Sequence, residues 1–195
     1  MGLLGGRTDP TAFWAWFGPE AARRRGPEDL DAAFLADLRS RLRTYGRRLD
    51  HEIGLRPATD ELELVVSADG RSSEVPRVEA LVAAAPDIPG WRVTALRPAR
   101  DVAGTAVRVG DETVAADDVV VAVSGGGDAV VLTAWVRDLD RNVADRMRAA
   151  HLLVEHALGE RTLVERVVAF DWQSYGGAAP AGTVPLTRLR AALPD

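Results

Sequence analysis

The stretch VVVAVSGGGDAVVLTAWV, residues 119–136, decides the fold. Val119 to Val123 and Val130 to Val136 are crowded with β-branched side chains. Between them, Ser124-Gly125-Gly126-Gly127-Asp128 is made of turn residues. Branching at Cβ favours extended backbone, and glycine supplies the positive φ that a tight reversal demands. The stretch therefore predicts a β-hairpin, hence antiparallel pairing. The glycine cluster does not fit a phosphate loop: the lysine, the Ser/Thr and the following helix are missing, and the spacing does not match GxGxxG.

Working outward, short strands are expected at Ala106 to Val109 and Glu112 to Ala115, and longer ones at Trp91 to Leu96 and Leu62 to Ser67. In the last, Leu62, Leu64 and Val66 alternate with Glu61, Glu63 and Val65 before an Ala68-Asp69-Gly70 turn. Val75 to Ala85 reads as a short helix stopped before Pro86. Two long helices flank this region. Pro27 and Glu28 open the first, in which Leu30, Phe34, Leu38, Leu42, Tyr45, Leu49 and Ile53 form one stripe as far as Gly54. Leu139 to Gly159 is the second, with Leu139, Val143, Met147, Ala150, Val154 and Leu158 on one face. A strand at Leu163 to Trp172, a Gly/Pro/Ala-rich loop at 174–185 and a helical turn at Leu186 to Leu193 complete the chain. At the other end, Met1 to Pro10 reads as loose. Phe13-Trp14-Ala15-Trp16-Phe17 reads as a short helix ending at Gly18-Pro19, an aromatic lid on the core. The sum is an α+β fold: a mixed, largely antiparallel sheet with two long amphipathic helices packed on one face, in a single domain spanning 1–195.

The 195 residues are 47% hydrophobic and 27% charged, ordinary for a globular chain. Cysteine is absent, which excludes disulfides, thiolate metal sites and cysteine nucleophiles. The formal net charge is −5, without the basic footprint of a nucleic-acid binder, so no nucleic-acid partner is expected. Arg23, Arg24 and Arg25 form the one run of three and read as a solvated helix end. Every basic residue is arginine, which with abundant Ala, Val and Gly suggests a GC-rich coding bias. No apolar run approaches the ~20 residues that span a bilayer, and no secretory signal opens the chain, so the expectation is a cytoplasmic protein without membrane contact.

Candidate chemistry is sparse. His151 and Glu155 lie one helical turn apart, as do His156 and Glu160. His151 and His156, however, point about 140° apart, so one ion cannot take both. HExxH is absent; ordinary i,i+4 surface pairs are expected, and neither a metal nor a cofactor. On the first long helix, Glu52 falls within about 40° of the apolar stripe, which predicts partial burial and an arginine partner. Acidic pairs at Asp60-Glu61, Asp117-Asp118 and Asp138 with Asp140 all sit at turns. No serine lies in GxSxG. Ser67 with Asp69 ends a strand, with no histidine placed beside it by the sequence.

The ordered set FWAWF at 13–17, Glu52-Ile53-Gly54, Ser67-Ala68-Asp69-Gly70, Ala85-Pro86, Trp91 to Pro98 and Leu158-Gly159-Glu160 resembles a family of bacterial cytosolic proteins of similar length. The resemblance covers roughly residues 11–170 and brings no assigned activity. It directs attention to Glu52, Asp69, Glu155, Gly159 and Glu160 as its acidic and glycine positions, and leaves the three histidines outside the pattern. Two readings follow. One is a non-catalytic binding or partner protein, regulatory or immunity-like. The other is a carboxylate-dependent enzyme, such as a hydrolase, using Glu52 with Asp69, Glu155 or Glu160.

Overall fold

A computed structural model describes residues 9–194 apart from 57, 128 and 141; residues 1–8 of the expected loose segment lie outside that range. Among the described residues the fold is α+β, with six α-helices and nine strands in mixed, largely antiparallel sheets. The strands are shared among three sheets instead of one. The chain divides into two compact units, Met1–Leu96 and Arg97–Asp195, at a point where the sequence shows no linker.

The first unit runs α1 (Thr11–Ala21), a 3₁₀ turn (Pro27–Asp29), α2 (Ala32–Tyr45), β1 (Asp50–Arg56), β2 (Glu61–Ser67), α3 (Val75–Ala83) and β3 (Trp91–Ala95). β1 and β2 are antiparallel neighbours, and β3 returns parallel to β2 after α3. The aromatic lid packs as expected. Phe13, Trp14 and Phe17 are buried, and the Phe17 ring lies 5.7 Å from Phe13, 6.2 Å from Phe34 and 5.3 Å from Trp91. Both buried indoles find acceptors: Trp14 Nε1 donates to the Leu81 carbonyl at 2.8 Å, and Trp91 Nε1 to that of Ala21 at 2.9 Å. The helix continues through Gly18-Pro19 to Ala21. Proline has a helix-compatible φ, and here it forfeits one hydrogen bond in the last turns.

The first long helix is shorter than its stripe suggests. Pro27–Asp29 forms only a 3₁₀ turn; α2 starts at Ala32, where the Asp31 carboxylate accepts the Phe34 amide at 2.7 Å. It stops at Tyr45, because Gly46 adopts an extended conformation at φ −152°. A Cβ there would meet Arg77 and Leu49 side-chain carbons at 2.8 Å. Residues 50–54, expected on the helix, belong to strand β1.

The second unit contains β4 (Ala106–Val109) and β5 (Glu112–Ala115) as a two-stranded sheet, then β6 (Val119–Gly126) and β7 (Ala129–Arg137). Next, α4 (Ala144–Leu158) and α5 (Glu160–Arg166) lead to β8 (Val167–Tyr175), which lies parallel to β7. β9 (Val184–Pro185) pairs with β6, and α6 (Leu189–Ala192) ends the fold. The expected β6–β7 hairpin forms, its register running from Val119 opposite Val136 to Gly126 opposite Ala129. Val119, Val121, Val130, Leu132, Ala134 and Val136 share its buried face and form one core with Ala150, Leu153, Val154 and Leu158 of α4.

The second long helix begins at Ala144, not Leu139. Asp138 has φ +50°, and the Asp140 carboxylate accepts the Asn142 amide at 2.9 Å, so a turn precedes the helix. Residues 163–166, expected as strand, belong to α5, with an Arg161–Glu165 pair at 2.7 Å along it. A hairpin followed by a helix and a parallel strand thus occurs once in each unit, although the sequence shows no repeat.

Candidate functional site

Glu155 and Glu160 meet in the second unit, around Arg97. Glu155 sits in the last turn of α4 and is 2% exposed; Glu160 opens α5 and is fully buried; Arg97 is 4% exposed. Arg97 Nη1 donates to Glu155 Oε1 at 2.9 Å. The Arg97 amide donates to Glu160 Oε2 at 3.0 Å, and the Glu160 amide donates back to the Arg97 carbonyl at 2.8 Å. One turn further on, the Arg100 amide donates to the His156 carbonyl at 2.7 Å. The chain entering this unit is therefore laced to the α4–α5 junction by both side chains and backbone.

Gly159 makes the junction possible. Its φ of +79° with ψ of 145° ends α4 and redirects the chain into α5. A Cβ at that position would stand 2.8 Å from the Ala99 backbone nitrogen, so the close approach and the conformation both call for glycine. The break also separates His156 from Glu160. They do not share one continuous helix: His156 lies in the last turn of α4 and Glu160 opens α5. Glu155 does not lie on the surface as expected: it is buried against Arg97, and the His151 ring lies 6.2 Å from Phe170 and 6.3 Å from Trp172. Among the described residues no three His, Asp or Glu side chains are grouped to hold a metal ion.

Glu52 and Asp69 belong to the first unit. Glu52 is half-buried on β1, opposite Val65 on β2, so its environment comes from a sheet and not from a helical stripe. Asp69 follows β2 with φ +52°. Its amide donates to Ser67 Oγ at 2.8 Å, and its carboxylate accepts from Arg71 Nη1 at 2.6 Å. The antiparallel register carries two residues to this strand end that the sequence had placed on a helix: Asp50 lies opposite Ser67, and His51 opposite Val66. Opposed residues share a face and neighbours alternate, so Ser67 shares its face with Asp50, while His51 points to the other side. A serine–histidine couple is not built here.

The sequence reading passed over a different feature. Arg39, Arg41, Arg43, Arg47 and Arg48 fall within ten positions with no acidic residue among them. Arg41 is stacked over the Trp16 ring at 4.8 Å. Arg39, Arg43 and Arg47 are exposed and line one shallow groove of about 690 Å³ with Ala36, Ser40 and Thr44. Guanidinium groups elsewhere find carboxylates at close range: Arg71 with Asp69 at 2.6 Å, Arg77 with Glu74 at 2.8 Å, Arg161 with Glu165 at 2.7 Å. Among the described residues no carboxylate pairs with Arg39, Arg43 or Arg47. The signal was present as the density of arginine over 39–48. Attention to the apolar stripe of this helix left that density unweighed.

No family model, curated protein or solved structure matches the chain.

Proposed function

We propose that the chain is a non-catalytic binding protein that meets an anionic partner through the outer face of α2. One observation carries this reading. In a chain with 29 acidic and 24 basic residues, three neighbouring arginines line one groove that, among the described residues, no carboxylate lines. With acid in excess, internal pairing is the easy outcome; an exposed stripe left without it is available to another molecule. A regulatory role in a bacterial cytosol fits a chain that has neither cysteine nor lysine and no helix, among the described residues, long and apolar enough to cross a membrane.

The convergence of Glu155 and Glu160 favours the second reading, a carboxylate-dependent hydrolase, by bringing two acids together. Their burial and their bonds to Arg97 speak for a structural duty instead. Retention on an immobilised sulfated polyanion, heparin, tests the first reading. The wild-type chain is expected to bind at low salt and elute as salt rises, although its net charge is negative. The R39E/R43E/R47E variant is expected to pass straight through. Wild type that is not retained, or a variant retained equally, refutes the reading.

A further inference from the structure

We infer that the groove on α2 is a site for an oligophosphate, a short chain of linked phosphate groups. This rests on the reading of α2 as the contact face and narrows it to one chemistry. Arg39 and Arg43 lie one helical turn apart, about 6 Å along the axis, and Arg47 continues the line just past the helix end at Tyr45. Three forked donors along one line suit a ligand whose charges are also strung in a line at short spacing. Guanidinium forks match the oxygens of phosphate in paired hydrogen bonds.

The remaining lining narrows the ligand further. Ala36 is the largest apolar group in the groove, and Ser40 and Thr44 add hydroxyls. Thr44 Oγ1 donates to the Ser40 carbonyl at 3.0 Å, which leaves its oxygen able to accept but commits its proton. Among the described residues no aromatic ring lines the groove, so a nucleobase has no platform on which to stack. Nor is there an apolar pocket to seat the anchor side chain that gives an acidic peptide most of its affinity. A peptide would contribute only exposed carboxylate pairs, each worth little and each needing a mobile side chain to be fixed. A phosphate chain brings dense charge on a compact frame. A long polyanion carries most of its charge beyond the groove, over a protein whose net charge is −5, and gains little from it; a short one sets all its charge against the arginines.

Calorimetric titration of the full chain with sodium tripolyphosphate tests this, with poly-L-glutamate and a single-stranded oligodeoxynucleotide as competitors for the same face. Tripolyphosphate is expected to bind one to one, and more tightly than either competitor. The R39Q/R43Q variant is expected to weaken it by about tenfold or more, the loss equivalent to one charged hydrogen bond. The R23Q/R25Q variant, with the same loss of charge elsewhere in the unit, is expected to leave it unchanged. Circular dichroism confirms that both variants fold. Tighter binding of polyglutamate or of the oligonucleotide, lost in R39Q/R43Q, overturns the oligophosphate assignment while the contact face stands. Equal weakening in both variants overturns the site. Absence of all three ligands together with absence of heparin retention removes the contact face itself.

Discussion

Replacing Arg97 by methionine should destabilise the second unit by about 3–5 kcal/mol. The figure follows from the surroundings of the side chain. Arg97 and Glu155 are 4% and 2% exposed and 2.9 Å apart. Methionine fills much of the space but leaves the Glu155 carboxylate desolvated without its cation. Removing one partner of a buried pair typically costs that much, because the surviving charge has lost its water and gained nothing. For a chain of this size 1 kcal/mol corresponds to about 2–4 °C in Tm, so a fall of about 6–20 °C is expected. The R97M/E155L double variant removes both charges together. It should recover the part of the loss that comes from the stranded Glu155 charge, and the Glu160 carboxylate still receives the amide of residue 97, which does not depend on the side chain. Urea unfolding followed by far-UV circular dichroism and tryptophan emission measures all four corners of the cycle. Trp135 and Trp172 report the second unit, and Trp14, Trp16 and Trp91 the first. A cost below about 1 kcal/mol for R97M, or a double variant as unstable as the sum of the two singles, would refute the buried-clamp argument.

Two further perturbations test other parts of the fold. Gly159→Ala should cost about 2 kcal/mol or more, since φ is +79° and the new methyl would press on the Ala99 backbone nitrogen at 2.8 Å; Gly18→Ala, in helix α1 with nothing within 4 Å, should instead stabilise by about 1 kcal/mol. Equal effects from the two in a thermal melt would show that glycine at 159 is incidental. Phe17→Ala should cost about 3–5 kcal/mol, because the side chain is fully buried among Phe13, Phe34 and Trp91. Calorimetry showing less than about 1 kcal/mol would mean that the aromatic lid does not pack as described.

The carboxylates flagged in the sequence were legible as unusual but not as a set. Glu155 and Glu160 stand out in the sequence by their spacing from histidines, but what brings the two together is Arg97. Their partner, Arg97, is more than fifty residues away along the chain, and no local pattern points to it. Glu52 was misplaced for a more instructive reason. Leu49 and Ile53 are four apart, a step that fits both a helical turn and two strand repeats. The competing pattern was there to see: His51, Ile53 and Leu55 alternate with Asp50, Glu52, Gly54 and Arg56. Gly46 decided between the two, by ending the helix where a side chain would collide with Arg77 and Leu49.

What the sequence determined by itself was the kind of each element. β-Branching, turn glycines and apolar periodicity are local properties, and they specified the β6–β7 hairpin, the β2 strand with its Asp69-Gly70 turn, and the amphipathic α2 and α4. Tertiary structure alone decided which strands became neighbours beyond that hairpin, how they were shared among three sheets, and which charges were buried together. Those outcomes depend on contacts between residues distant in sequence, whose free energy is realised only once desolvation and packing are settled together.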